Sequence, residues 1–242
     1  MHRAVDGAPV AVVIPALDEE RSIGGVLRNI PAPYRRRMVV VDNGSRDGTA
    51  RVAREAGAQV VAEPRRGYGA ACLAGLAALA ADPPRAVVFL DADSSDDPAE
   101  MPRVVGPVLA GEADLVIGSR ILGARERGAL TPHARFGNAL ATFLIRSLYG
   151  VRFTDLGPFR AVSWNALARM RMEDQDYGWT VEMQVRAARL GLVVREVPVS
   201  YRRRIGKSKI SGTVRGTVGA GKKILWVIFR EALRPRRLPA DP

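Results

Sequence analysis

Ala86-Val87-Val88-Phe89-Leu90-Asp91-Ala92-Asp93 sets a run of apolar residues directly before two carboxylates. An apolar run of this length, bounded by polar residues, predicts a strand over Ala86–Leu90 that is buried on both faces, as in a parallel sheet. Asp91 marks the point where that strand leaves the core. Two carboxylates separated by one small residue at a strand end can hold a divalent cation against a diphosphate, because hard cations take oxygen ligands and neutralise charge on a departing nucleotide. The plainer reading is that such acids cap the next helix or face solvent.

The flanking sequence favours a ligand site. Val10–Ile14 is a second β-branched run, ended by Pro15, and an apolar-periodic helix follows from Ile23 to Ile30. Met38–Val41 reads as a strand ending at Asp42, Asp47–Ala56 as a helix stopped by Gly57, and Gln59–Ala62 as a short strand. Ala70–Ala81 is an alanine-rich helix; beyond Asp93, Met101–Ala110 is helical and Asp114–Ile117 is a strand. This alternation predicts βαβ units and a parallel sheet. Asp18 and Glu19, Asp42, and Asp91 with Asp93 all fall just after strands, on the carboxyl edge where open α/β sheets bind ligands. One acid there is a cap; three sites on one edge point to a ligand.

The second half differs. Phe136–Tyr149 and Val181–Leu190 are apolar-periodic helices, Val193–Val199 alternates like a strand, Tyr201–Lys209 is a basic loop, and a proline- and arginine-rich tail follows Leu233. Arg202-Arg203-Arg204 alone could be a solvated charge run. Lys222–Arg230 mixes cations with Ile224, Leu225, Trp226, Ile228 and Phe229, which suits either an interfacial amphipathic helix or a helix packed on the domain. Gly216–Lys222 fits most of a Walker A loop, but Lys223 stands where Ser or Thr belongs and no strand precedes it. Gly67-Tyr68-Gly69 reads as a flexible loop near donor phosphates, assisted by Arg65 and Arg66, because Cys72 replaces the third glycine of a dinucleotide fingerprint.

Composition bounds the rest. The 242 residues are 47% hydrophobic and 26% charged, enough for one α/β core and a C-terminal extension. A single cysteine, Cys72, excludes an intrachain disulfide and fits a reducing compartment, where it reads as a small buried apolar residue. His2 and His133 are too few for a histidine metal site, so any metal is a hard ion on oxygen. The net charge of +12 draws anionic partners: nucleic acid, an anionic membrane face, or phosphorylated substrates. No apolar run nears the ~20 residues of a membrane span, and Met1–Pro9 carries no secretory h-region. The expected location is cytoplasmic, peripheral on the inner face of the cell membrane.

Eight ordered segments resemble family 2 glycosyltransferases. Val13-Ile14-Pro15-Ala16-Leu17-Asp18-Glu19 is similar to their opening Pro-x-Tyr-Asn-Glu segment, and Val40–Thr49 to their Val-Asp-Asp-Gly-Ser-x-Asp-Gly-Thr segment. Asp91-Ala92-Asp93 resembles their metal-binding DxD, and Val116-Ile117-Gly118-Ser119-Arg120 also matches. Thr154–Arg160, Gly178–Met183, Glu196–Val199 and Gly206–Lys209 follow in the order of the dolichyl-phosphate mannose synthase branch. The resemblance runs from Val10 to Lys209. It implies the GT-A nucleotide-diphosphosugar transferase fold, a mostly parallel Rossmann-like α/β sheet flanked by helices, over residues 1–210, with 211–242 as a basic amphipathic segment.

The resemblance also assigns roles. Pro15, Leu17, Glu19 and Asp42 would line the nucleotide pocket; Asp91 and Ala92 would contact the nucleotide; and Asp93, with Asp91 beside it, would hold Mg2+ or Mn2+. Arg120 and Arg135 would face the acceptor phosphate, while Arg203 and Lys209 would close over the diphosphate, with Gly206 as hinge. Leu17 stands where the family has tyrosine, Asn43 replaces its second aspartate, and Ala139 replaces a serine near the acceptor phosphate.

The reaction so implied is inverting transfer of a hexose from a GDP- or UDP-sugar donor to a polyprenyl (dolichyl-type) phosphate, a lipid-phosphate acceptor. A phosphate oxygen is already anionic and needs no strong base; a hydroxyl acceptor would need one, for which Asp155 and Glu182 are the candidates. Transfer to a soluble hydroxyl acceptor is the first rival. A basic nucleic-acid-binding Rossmann-like protein is the second, but the acidic edge repels a phosphate backbone and no stacking-aromatic motif is present, so no nucleic-acid partner is expected. A nucleotidyltransferase is a weaker third.

Overall fold

The computed structural model describes residues 9–206 and 214–234. Its strands are β1 (Val10–Ala16), β2 (Met38–Asp42), β3 (Gln59–Ala62), β4 (Ala86–Phe89), β5 (Leu115–Ser119), β6 (Arg160–Ser163) and β7 (Val194–Pro198). Its α-helices are α1 (Glu20–Asn29), α2 (Thr49–Glu55), α3 (Tyr68–Leu79), α4 (Met101–Leu109), α5 (Pro132–Tyr149), α6 (Trp164–Met170), α7 (Trp179–Arg189) and α8 (Val214–Leu233). The strands form one sheet in the order β3-β2-β1-β4-β6-β5-β7. β1 runs parallel to β2 and β4, β2 to β3, and β5 to β7; β6 alone is antiparallel to its neighbours.

The apolar runs are continuous because both faces of the sheet are covered. Val12 and Ile14 of β1 join Val40 and Val88 in the core beneath α1 and α4, while Ala11 and Val13 join Val41, Val87 and Phe89 beneath α3 and α7. Each fully buried aliphatic or aromatic side chain contributes about 1.5–3 kcal/mol, which makes these central strands the anchor of the fold. Phe89 meets Trp179 of α7 edge-on, with ring centroids 5.8 Å apart.

Two elements went unpredicted, β6 and α6. β6 has four residues and opens on Arg160, whose charge hides its strand character. Arg160 is fully buried, but its guanidinium donates to the carbonyls of Leu156, Gly157 and Thr180, which offsets the loss of water. The C-terminal helix is also longer than the expected Lys222–Arg230. One side of α8 packs on α5 and α7 through buried Val227, Ile228 and Glu231. Val218, Lys222, Trp226, Phe229 and Leu233 line its exposed side at helical spacing.

Candidate active site

Parallel pairing brings the carboxyl ends of β1, β2 and β4 to one edge. Ala16 is in register with Asp42, and Val13 with Phe89, so Leu17–Glu19, Asp42 and Asp91–Asp93 leave the sheet side by side. The turn after β1 is tied across: Asp18 donates its N–H to Ser45 Oγ, Glu19 donates to Thr49 Oγ1, and Asp18 Oδ1 accepts from Arg46 N–H. Asp42 Oδ1 accepts from Ser45 N–H. Asn43 has its own reason to depart from aspartate: its amide donates to the carbonyls of Glu63 and Arg65, which a carboxylate cannot do, while its Oδ1 accepts from Gly67 N–H.

At the end of β4, Asp93 Oδ1 accepts from the N–H and hydroxyl of Ser95, and Asp91 Oδ1 accepts from the Tyr68 hydroxyl at 3.2 Å. Ser94 between these groups sits at φ 65°, a left-handed conformation uncommon for serine. Asp96 is buried and neither of its carboxylate oxygens finds a hydrogen-bond partner among the described residues. Burial, then the charge of Asp91, pushes its pKa well above the usual carboxylate range. Protein packed around Asp91, then the charge of Asp93, pushes Asp91 up to about 7.

Tyr68 is held by a tight junction and not by the flexible loop the sequence suggested. A Cβ on Gly67 would stand 2.1 Å from the Gln175 carbonyl oxygen, and one on Gly69 2.0 Å from that of Asp174, so only glycine fits at either place. Gly69 and Ala70 donate their N–H groups to the Asp176 and Gln175 carbonyls. Cys72 lies buried beneath, its thiol pKa raised by burial and then by Asp91, so it is no nucleophile.

Arg120 and Asp155 form a closed pair. Asp155 is fully buried; Oδ2 accepts from the backbone N–H and Nε of Arg120, and Oδ1 accepts from its Nη2 at 2.7 Å. Arg120 also lies over the Tyr201 ring, 5.0 Å from its centroid. Arg135 is exposed on the first turn of α5, near exposed Phe136.

Glu182 is enclosed between helices. It is fully buried; its Oε2 accepts from the N–H groups of Glu173 and Asp174, and its Oε1 faces Arg186 and Arg230 at 3.0 and 2.9 Å. That network fastens α8 to α7, and both Glu182 oxygens have partners in it, which favours a structural role over the catalytic one expected from the sequence. Arg203 also has its partners elsewhere in this structure. Its backbone N–H donates to Glu126 and its guanidinium to the Arg127 carbonyl, away from the acidic edge. The next residue reaches that edge instead: Arg204 contacts Glu19 Oε1 at 2.6 Å and Asp93 Oδ2 at 3.2 Å. Lys209 lies outside the described residues. Sequence reasoning missed Arg204, Tyr68 and Asp96 as members of the site; the triple arginine and the Gly-Tyr-Gly segment were the available signals.

The profile described as Glycosyl transferase family 2 matches residues 11–174. An uncharacterised glycosyltransferase of Mycobacterium tuberculosis is 44% identical over 217 residues, covering 88% of this chain and 94% of the relative. A dolichyl-phosphate hexose transferase of Haloferax volcanii is 34% identical over 93% of this chain and 96% of its own. Among solved structures, glucosyl-3-phosphoglycerate synthase of Mycobacterium tuberculosis, in complex with Mn2+, UDP-glucose and phosphoglyceric acid, superposes with a TM-score of 0.73 at 26% identity, covering 95% of this chain and 81% of that one. An α/β sheet with an acidic carboxyl edge, a profile match over more than half its length and full-length relatives of the same class together make this chain a glycosyltransferase that belongs to glycosyl transferase family 2.

Proposed function

We propose that this chain moves a hexose from a GDP- or UDP-sugar onto a phosphate oxygen of a polyprenyl phosphate, with inversion at the sugar carbon. The observation that carries this reading is the state of the two candidate bases. Asp155 is bound on both oxygens by Arg120, and Glu182 is enclosed in an ion network. Neither is available to take a proton from a hydroxyl. Such a site suits a nucleophile that arrives ionised, leaving the protein to align the reactants and neutralise the leaving group. Exposed Arg135, with Phe136 and Phe143 exposed on the same helix, suits an acceptor with an anionic head and an apolar tail. The identity to a dolichyl-phosphate hexose transferase supports the same acceptor class.

We assign the divalent cation, Mg2+ or Mn2+, to Asp93 with Asp91 beside it. The donor set fits: Asp91 and Asp93 are two oxygen donors one residue apart just after β4, and Mg2+ is commonly held by one or two carboxylates plus substrate phosphates. When bound, the cation offsets charge on the departing diphosphate.

No helix among the described residues is long and apolar enough to cross a membrane. The exposed stripe of Val218, Lys222, Trp226, Phe229 and Leu233 supports peripheral contact with an anionic inner membrane face. The likeness to a structure holding phosphoglyceric acid favours a second reading, a soluble phosphorylated acceptor.

The test supplies radiolabelled GDP-mannose or UDP-glucose with MnCl2, and either undecaprenyl phosphate in detergent or 3-phosphoglycerate. Label extracted into organic solvent with the polyprenyl phosphate is the expected result. Label found only in a water-soluble phosphorylated product would overturn the lipid acceptor in favour of the second reading.

A further inference from the structure

The Arg204 guanidinium bridges two strand ends, touching Glu19 after β1 and Asp93 after β4. Both carboxylate side chains are only 8% exposed, so a cation between them offsets charge that water reaches poorly. The backbone holds Arg204 there: Ile205 N–H donates to the Asp93 carbonyl, and Arg202 N–H to that of Ser95. Yet the guanidinium is not fully built in. Its Nε is buried and meets no acceptor among the described residues, a state it shares with Arg230 Nε. Arg160 is the contrast within the same chain, with all three guanidinium nitrogens on carbonyl oxygens.

We infer that Arg204 is the counter-cation of the donor-free enzyme, and that a divalent cation gains Asp93 only by displacing it. The inference rests on the assignment of Asp93 to the metal. A metal ion arriving alone competes with a tethered guanidinium, whose effective concentration at Asp93 is high. A metal arriving with a nucleoside diphosphate brings anionic oxygens, and these give the displaced guanidinium a new partner. Metal and nucleotide therefore bind with positive linkage, and Arg204 is a main source of it. Asp93 is thus never left bare: arginine covers it at rest, and the metal covers it in the donor complex.

Mn2+ binding to the full chain, read from the electron paramagnetic resonance signal of free Mn2+, tests this without any turnover. Titrations with MnCl2, with and without GDP or UDP, compare the native protein with Arg204→Gln and Arg204→Lys. The expected result is that Arg204→Gln binds Mn2+ alone about tenfold more tightly than the native protein, with the nucleotide enhancement reduced to match. Arg204→Lys, which keeps the charge, should stay close to native. Equal or weaker binding of Mn2+ alone by Arg204→Gln, with native circular dichroism and intact Mn2+ binding in the presence of nucleotide, overturns the exchange while leaving the metal assignment standing. No Mn2+ binding by the native protein, with or without nucleotide, overturns both.

Discussion

Among the described residues, buried acid–arginine assemblies lie under α8 and at the carboxyl edge of the sheet, and they differ in how far their acids are paired. Under α8, Glu182 meets Arg186 and Arg230 and two backbone N–H groups, and Glu231 meets Arg186, Arg189, Arg230 and Arg234. At the edge, Asp93 and Glu19 share Arg204, Arg120 is committed to Asp155, Asp91 has a tyrosine hydroxyl, and the Asp96 carboxylate has no hydrogen-bond partner among the described residues. The first assembly gives each of its acids at least two arginines and holds two helices together, although Arg230 Nε meets no acceptor among the described residues. The second is short of positive charge among the described residues, and two of its acids, Asp91 and Asp96, respond by rising in pKa. Among the described residues, a deficit of this kind supports the proposal that an added cation binds here.

The largest effect should come from unbalancing the side under α8. Glu231→Ala leaves several arginines facing each other beneath α8. Breaking a buried ion network by removing one partner costs about 3–5 kcal/mol, which for a chain of this size lowers the melting temperature by on the order of 10 °C. Nucleotide binding by the folded protein should persist. An unchanged melting temperature would break the comparison, since the network would then hold nothing.

A smaller effect is expected from pH at the deficient side. Asp91, raised to about 7, carries a proton below that pH. A divalent cation must displace that proton, so affinity for Mn2+ with GDP or UDP should fall as pH drops from 8 to 6, approaching about tenfold per unit on the acid side. Tyr68→Phe removes the hydroxyl that favours the charged form of Asp91. It should move the midpoint up by about half a unit to one unit, the worth of one hydrogen bond. Calorimetric titration at several pH values measures both. A flat pH profile would remove Asp91 from the cation site.

The sequence reveals most of the fold because parallel strands buried on both faces must be apolar throughout; β1, β2 and β4 stand out for that reason, and so do the acids that follow them. β6 does not stand out, since it is short and spends its first position on a buried arginine whose partners are carbonyls. The site is legible in its acids but not in its cations. Arg202, Arg203 and Arg204 are chemically equal in a sequence, and only the bonds from Arg202 N–H and Ile205 N–H decide that Arg204 faces Asp93. The role of Glu182 is hidden for a different reason: its partner Arg230 lies 48 residues further along the chain, and no local pattern links them.

The account turns on one distinction, that Asp93 serves the ligand and Glu182 serves the fold. The direct measurement is a paired one on Asp93→Ala and Glu182→Ala: thermal unfolding of the ligand-free proteins, and GDP or UDP binding with Mn2+ at a temperature where both remain folded. The predicted result is a crossed one. Asp93→Ala should lose metal-dependent binding by about two orders of magnitude, in line with removal of a charged ligand contact, while its melting temperature stays near native. Glu182→Ala should melt on the order of 10 °C lower and still bind nucleotide with Mn2+ as the native protein does. Native binding by Asp93→Ala, or native stability with lost binding in Glu182→Ala, would contradict the account.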